Sequence, residues 1–225
     1  MTVADRLDVI LTELKNATDK ASRALDSVQL IAVSKTYAAP VIREAVEAGQ
    51  IHFGESRIQE AKTKIPELPS NLQWHLIGHL QSNKTRLALS LFPTIHTVDS
   101  LSLAQTIDRI AGELGLFPTI FLQVNISGEA TKYGMSPAQL EENFEEILSL
   151  PRLEITGLMT IPPISPDPEG ARKHFAALRE FRDSLEQRFA TRLPHLSMGM
   201  SNDFPIAIEE GATHVRIGSA IFGKR

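Results

Sequence analysis

The stretch QLIAVSKTYAAPVIREAVEAGQIHFGESR, residues 29–57, contains the unit from which we predict the fold. An apolar run over 29–34 is followed by a segment with helical spacing near 40–48, and a second apolar run follows at 51–54. A helical segment between two short apolar runs is typical of a βαβ unit, in which a helix joins two parallel strands. The unit therefore predicts an α/β fold with a parallel sheet.

The same alternation continues along the rest of the chain. Segments with helical spacing follow near 57–66, 81–91, 100–114, 137–149, 168–190 and 204–210, and the eight apolar runs lie at 29–34, 51–54, 72–77, 94–98, 119–125, 153–159, 195–198 and 213–217. Eight such units either close into a (β/α)8 barrel of the TIM type or form an open doubly wound sheet. Periodicity leaves both open, and the number of runs favours the barrel.

The remaining segments and the composition predict one domain over residues 1–225. The first 25 residues have the spacing of an extra amphipathic helix that begins after Thr2, and the proline-rich stretch 161–168 is typical of a long loop. Hydrophobic residues make up 42% of the 225 residues, which is enough to fill a core.

Composition also excludes several classes of function. The net charge of −4 shows no basic excess, so we expect no nucleic-acid partner. The chain has no cysteine, which excludes disulfides, thiolate nucleophiles and cysteine-based metal sites. Acidic residues interrupt the apolar amino-terminal segment, and no apolar stretch approaches about 18 residues, so we expect a cytoplasmic protein without a membrane partner.

Polar residues follow the predicted strands, where parallel α/β folds build their active sites. Lys35 comes directly after the first run. An amine in low-dielectric surroundings at a strand end favours its neutral, nucleophilic form, which can form a Schiff base. The alternative is a lysine whose stem packs on apolar surface and whose charge reaches solvent.

The last two runs are followed by candidate phosphate-binding turns. Gly199 and Gly218 permit close backbone approach, and Ser201 and Ser219 offer hydroxyl donors. Asp203 would repel a phosphate unless its side chain points away as a helix cap. The alternative is two ordinary glycine–serine turns.

Arg216 lies inside the last apolar run, where its charge needs a partner. A cofactor ring nitrogen and an internal carboxylate are both possible partners. His75 and His79 lack the helical spacing of a zinc site, and we expect no metal and no other histidine cluster.

Six blocks together resemble the pyridoxal phosphate homeostasis proteins, the YggS-like family that is co-transcribed with proline synthetase. They span nearly the whole chain in the family's order: AVSKT at 32–36, FGESRIQE at 53–60, WHLIGHLQSNK at 74–84, GLMTI at 157–161, SMGMSND at 197–203 and RIGSAIFG at 216–223. The resemblance implies a single barrel like the amino-terminal domain of bacterial alanine racemase, with pyridoxal 5′-phosphate (PLP) in its mouth.

The resemblance also implies roles for individual residues. Lys35 would hold PLP as a Schiff base, Arg216 would face the pyridine nitrogen, and the phosphate would be held by Ser201, Gly218 and Ser219, with Met200 alongside. The family's second block usually reads GENRVQE, and here Ser56 replaces the asparagine that lies near the cofactor. One polar contact therefore differs from the family pattern.

Three functions follow as hypotheses. The first is a non-catalytic PLP carrier in vitamin B6 homeostasis that affects amino-acid and keto-acid balance, acts as a monomer and hands PLP to apoenzymes. The second is a small amino-acid racemase or other PLP-dependent enzyme with Tyr37, Tyr133 or His79 as a second acid or base. The chain ends at Arg225, which leaves no room for the β domain that supplies this tyrosine in alanine racemase. The third is an aldolase-like barrel that uses Lys35 without a cofactor.

Overall fold

Parallel strands form a closed barrel in the computed structural model, which describes residues 1–223. Strand order around the barrel follows chain order, and each predicted apolar run overlaps one strand. The strands are β1 (Gln29–Val33), β2 (His52–Glu55), β3 (Gln73–Leu76), β4 (Thr94–Val98), β5 (Thr119–Gln123), β6 (Glu154–Met159), β7 (His195–Ser197) and β8 (His214–Ile217).

Pairing of the first and last strands closes the barrel. Gln29 lies opposite His214, and Ala32 lies opposite Ile217, so β1 and β8 are parallel neighbours along most of their length. An open doubly wound sheet would leave both strands at edges. The predicted (β/α)8 barrel is therefore confirmed, and the open sheet is excluded.

Helices surround the barrel and connect successive strands. Short 3₁₀ turns precede two of them, at Ser82–Lys84 before the fourth and at Pro168–Ala171 before the seventh, which shortens the predicted helices there. The helices are α1 (Val3–Lys20), α2 (Ala39–Glu47), α3 (Ile58–Lys64), α4 (Thr85–Leu89), α5 (Leu101–Leu114), α6 (Pro137–Leu148), α7 (Arg172–Phe189), α8 (Phe204–Glu209) and α9 (Ser219–Phe222).

The extra amino-terminal helix α1 begins where the sequence predicts. The Thr2 hydroxyl accepts the backbone N–H of Asp5 at 3.1 Å, and the Asp5 carboxylate accepts the Thr2 N–H at 2.7 Å. This reciprocal pair satisfies amides that the helix itself leaves without partners. The buried face of α1 packs against α8 and α9, so it supports the elements that follow β7 and β8.

The core has two parts, one between the barrel and its helices and one inside the barrel. Side chains on a strand alternate between these two parts. Phe53 and Trp74 on β2 and β3 contact each other on the outer side, with ring centroids 5.5 Å apart. Within the described residues, no helix is long and apolar enough to span a bilayer.

Candidate functional site

One cavity of about 600 Å³ lies at the carboxyl ends of the strands. Every residue predicted for the site lines it: Lys35, Ser56, Met200, Ser201, Arg216, Gly218 and Ser219. These residues come from four different parts of the sequence and meet because the barrel closes between β1 and β8. The structure brings the predicted residues together, and their roles stay predictions.

Lys35 lies two residues beyond the end of β1, on the side of the strand that faces the barrel interior. Val33 and Lys35 both line the cavity, while Ser34 between them faces outward to the helical layer. Lys35 is exposed, so the expectation that it lies in low-dielectric surroundings is wrong. The reason is its position at the rim, beyond the buried end of the strand.

A buried polar network lies behind Lys35. The Glu55 carboxylate is fully buried, and its Oε1 accepts hydrogen bonds from Lys64 Nζ at 2.6 Å and from the Ser34 hydroxyl at 2.7 Å. Lys64 Nζ also donates to the Ser34 carbonyl at 3.1 Å. Burial raises the pKa of Glu55, and the bonds from Lys64 and Ser34 oppose that rise. The network ties α3 to the backbone that immediately precedes Lys35.

The turn after β7 depends on Gly199 and Asp203. Gly199 has φ +92°, and a Cβ there would lie 2.6 Å from the Ala207 Cβ, so only glycine fits without rearrangement. The Asp203 carboxylate accepts the Met200 N–H at 2.6 Å. It therefore stabilises the turn. Asp203 occupies the position before α8, but its side chain makes no bond to the amides of that helix. Burial raises the pKa of Asp203.

The turn after β8 places several donors beside that first turn. The Ser201 hydroxyl lies 3.4 Å from both the Gly218 amide and the Ser219 hydroxyl, which is long for a hydrogen bond. Ser219 is the first residue of α9, so its amide has no partner within that helix. These groups form a set of weakly engaged donors that suits an anion with several oxygens.

Arg216 is buried, with 4% of its surface exposed, and it lines the cavity. Its Nη1 donates to the Ser197 hydroxyl at 2.7 Å, and its Nη2 donates to the Thr160 carbonyl at 3.0 Å. Burial lowers the pKa of Arg216 to about 10, so the group stays charged near neutral pH. Within residues 1–223 no carboxylate pairs with it, and the internal carboxylate considered from the sequence is therefore not observed.

Ser56 is half-buried at the wall of the cavity, where the chain after β3 passes very close to it. A Cβ at Gly78 would lie 2.2 Å from the Ser56 carbonyl oxygen, so glycine is required at that crossing. The fold therefore fixes the Ser56 backbone tightly while its side chain lines the cavity.

Of the three residues considered as the second acid or base of a racemase, only one lines the cavity. Tyr37 lines the cavity, and its hydroxyl donates to the Gly223 carbonyl at 2.7 Å. His79 bonds to Asp99 at 2.9 Å and stacks on Tyr133 with ring centroids 4.3 Å apart. His79 and Tyr133 are not among the residues that line the cavity.

The expectation that the histidines form no cluster is wrong. Inside the barrel, His52, His75 and His96 are joined by ring-to-ring hydrogen bonds of 3.0 Å, and His195 and His214 lie beside them. They come from five strands, so no spacing in the sequence signals their meeting. In the part of the chain that the structure describes, no group of histidine, aspartate and glutamate side chains is arranged to hold a metal ion.

Sequence reasoning also missed the wall of the cavity that the loop 161–168 provides. Ile161, Pro162, Pro163 and Ile164 line the cavity, and Ile164 is 94% exposed. The stretch was predicted only as a loop. The available signal was that this segment contains apolar residues and several prolines but no glycine. Proline restricts the backbone, so such a loop can form a fixed wall beside a site.

Comparison with known proteins defines the class first. The profile of the family described as "Alanine racemase, N-terminal domain" matches residues 9–225. An alanine racemase of Clostridium difficile 630 superposes with a TM-score of 0.75 at 18% identity, over 98% of this chain and 57% of that one. At this identity the likeness concerns the fold, which is the racemase-type barrel.

More similar relatives identify the family within this class. The pyridoxal phosphate homeostasis protein of Aquifex aeolicus is 42% identical over 226 residues, which cover 100% of this chain and 99% of the relative. The structure of PipY from Synechococcus elongatus PCC7942 with PLP bound superposes with a TM-score of 0.86 at 44% identity, over 99% of this chain and 100% of that one. The chain belongs to the family of pyridoxal phosphate homeostasis proteins.

Proposed function

We propose that this protein binds PLP in the cavity at the carboxyl ends of the strands and acts as a non-catalytic carrier in vitamin B6 homeostasis. One observation carries the proposal: a buried, charged Arg216 without a carboxylate partner in residues 1–223 lines the same cavity as the Lys35 amine. The name of the Aquifex relative and the PLP bound to PipY support the choice of ligand.

The residues present fit the three polar parts of PLP. When bound, PLP supplies an aldehyde that condenses with an amine with loss of water, and a ring that withdraws electrons. The Lys35 amine is the group for the aldehyde, and Arg216 Nη groups can donate to the ring nitrogen. The weakly engaged donors of Ser201, Gly218 and Ser219 suit the phosphate, while Met200 and Ser56 line the cavity.

Two features of the site support a carrier over a racemase. Arg216 remains charged near neutral pH and donates hydrogen bonds without giving up its proton, so it leaves a ring nitrogen unprotonated and weakens the ring as an electron sink. The Tyr37 hydroxyl already donates to the Gly223 carbonyl, and His79 pairs with Asp99. His79 and Tyr133 are not among the residues that line the cavity, and Tyr37 would have to break its bond to Gly223 to act as an acid or base opposite Lys35.

The test of PLP binding is the absorption spectrum of the purified protein with added PLP, before and after borohydride, with mass mapping of the labelled peptide. We expect visible absorbance in the wild type and in a Lys62→Ala control, which alters an exposed lysine of α3. Lys35→Ala should lose the absorbance and the label while it still folds, because an exposed rim lysine adds little to the core. A label on another residue, or a colourless wild type, contradicts the proposal.

A second measurement separates the carrier from the enzymes. PLP-loaded protein is incubated with a panel of amino acids in deuterated solvent, and exchange of the α-proton is followed by NMR. Exchange that disappears in Lys35→Ala would establish the racemase-type alternative. Conversion of a sugar substrate by the protein without PLP would establish the aldolase-like alternative.

The proposal includes a cytoplasmic monomer that functions as one domain over residues 1–225 and transfers PLP to apoenzymes. Size-exclusion chromatography with light scattering tests the monomer. Transfer is tested by mixing the loaded protein with an apoenzyme and measuring the recovered activity against an equal amount of free PLP.

A further inference from the structure

A chain of hydrogen bonds runs through the barrel interior to the cavity. His52 Nδ1 lies 3.0 Å from His75 Nε2, and His75 Nδ1 lies 3.0 Å from His96 Nε2. His96 Nδ1 lies 2.8 Å from the Ser197 hydroxyl, which accepts Arg216 Nη1 at 2.7 Å. The chain thus joins five strands and ends at the guanidinium of Arg216, a residue that lines the cavity.

Burial keeps the three histidine rings of this chain neutral. His96 and Ser197 are fully buried, and His75 is 5% exposed. Burial lowers the pKa of His75 to about 3 and lowers that of His96 well below its ordinary value, with the positive Arg216 acting in the same direction on His96. Each ring therefore carries one proton, on one of its two nitrogens.

The direction of the chain follows from the donors at its cavity end. Arg216 can only donate, so the Ser197 oxygen accepts, and the single Ser197 hydrogen needs an acceptor. Within residues 1–223 its other partner is His96 Nδ1, which must then be unprotonated. His96 therefore has its proton on Nε2 and donates to His75 Nδ1, and by the same reasoning His75 donates to His52 Nδ1. His52 then has its proton on Nε2, and it is half-buried at the start of β2.

We propose that His52, His75, His96 and Ser197 are positioning residues, which form a one-way hydrogen-bond chain that holds the Arg216 guanidinium in place in the cavity. The reverse direction would make His96 Nδ1 a donor and leave the buried Ser197 hydrogen without an acceptor, which is costly. Stacking of His96 on Phe121, with centroids 4.2 Å apart, fixes the plane of the ring and aims Nδ1 at Ser197. The role toward PLP rests on the proposed function, whereas the direction of the chain does not.

The first test needs no PLP and therefore stands if the proposed function fails. Nitrogen NMR of the protein labelled with ¹⁵N-histidine distinguishes the two neutral forms of each ring. We expect His96 and His75 to carry their protons on Nε2. A proton on His96 Nδ1, or a doubly protonated His96 at neutral pH, overturns the proposed chain.

The second test measures the dissociation constant for PLP and the absorption spectrum of the PLP-loaded protein. Ser197→Ala should weaken PLP binding about tenfold and shift the spectrum, since loss of a bond to the charged Arg216 is worth about one such factor. His96→Leu leaves the buried Ser197 hydrogen without its acceptor and should likewise weaken PLP binding and shift the spectrum. His96→Asn keeps an acceptor near the Nδ1 position and should restore most of both properties. His195→Leu is the matched control, because His195 lies inside the barrel beside His214 and its Nδ1 has no hydrogen-bond partner within residues 1–223.

The outcomes separate positioning from a general effect on folding. Urea unfolding of each variant shows that the fold is retained. Equal losses in His96→Leu and His195→Leu, or wild-type binding and spectrum in both His96→Leu and Ser197→Ala, overturn the positioning role. Should His96→Leu not fold, the histidine NMR of the wild type and the Ser197→Ala variant still decide.

Discussion

Removal of the positive charge behind Lys35 should destabilise the protein strongly. In Lys64→Met the Glu55 carboxylate, fully buried, would lose its 2.6 Å bond from Lys64 and keep only the Ser34 hydroxyl, while its Oε2 already has no partner. Breaking a buried pair by removing one partner costs about 3–5 kcal/mol, since the remaining charge stays without compensation. We expect a loss in that range in the free energy of unfolding, measured with urea at pH 7.

The pH dependence provides an internal check. Burial raises the pKa of Glu55 above 4.5, so its contribution to stability is greatest below that pH and is lost as the pH rises through the higher folded value. The deficit of Lys64→Met relative to wild type should therefore shrink as the pH falls toward 4.5. The double variant Glu55→Gln, Lys64→Met should recover part of the stability at pH 7, because no buried charge remains.

An exposed lysine on the same helix supplies the control. Lys62→Met removes the same charge from α3 at an exposed position and should change the free energy of unfolding by less than about 0.5 kcal/mol. If Lys64→Met is no worse than Lys62→Met, or if its deficit is unchanged down to pH 4.5, the reasoning from an uncompensated Glu55 charge is refuted.

Other substitutions test the turns, the guanidinium and the histidines. Gly199→Ala should lower the free energy of unfolding in urea by at least about 2 kcal/mol, because the new Cβ would lie 2.6 Å from the Ala207 Cβ at a φ of +92°. Gly49→Ala has a similar φ of +94° but open space around the new Cβ, so it should cost only about 1 kcal/mol. Equal costs would contradict the clash. Arg216→Ala should weaken PLP binding by about 10- to 100-fold and alter the visible spectrum, since charge-assisted bonds are lost, and unchanged affinity would count against its role. Lowering the pH from 7 to 5 should cost about 2 kcal/mol in the free energy of unfolding through His75 alone. Its pKa is about 3 in the folded protein and about 6.5 in the unfolded chain, so its contribution to stability is complete above pH 6.5 and is lost as the pH falls toward about 3. A His75→Gln variant with the same pH slope as wild type would refute this.

The fold could be predicted from the sequence because each βα unit has a local signature. The run at 29–34 and the helix after it lie within about 20 residues, and all eight runs overlap a strand. Closure could not be derived in this way, since the pairing of Gln29 with His214 joins residues at opposite ends of the chain. The count of runs favoured closure, but only the register establishes it.

The site was predictable where the chemistry lies directly after a strand. Lys35, Ser219 and the turn at 199–203 begin two residues beyond the ends of their strands, so the position of the strand end locates them. The histidine chain was not predictable, because His52, His75 and His96 lie on three strands and meet only inside the closed barrel. The role of Asp203 was not predictable either, because its carboxylate accepts the Met200 N–H in the turn and not an amide of α8.

The electrostatics of the barrel interior explain why one cation can be kept there without a carboxylate. Transfer of a charge from water into a protein interior is unfavourable unless polar groups replace the lost hydration. Here the Ser197 hydroxyl and the Thr160 carbonyl accept from the Arg216 guanidinium, and the Asp203 charge acts on it from the turn after β7. This compensation is incomplete, since burial still lowers the pKa of Arg216 to about 10. A ligand atom with a lone pair on the cavity side would accept a further hydrogen bond from the guanidinium. Part of the free-energy cost of burying the Arg216 charge in the free protein would then be recovered on binding, which favours the bound state.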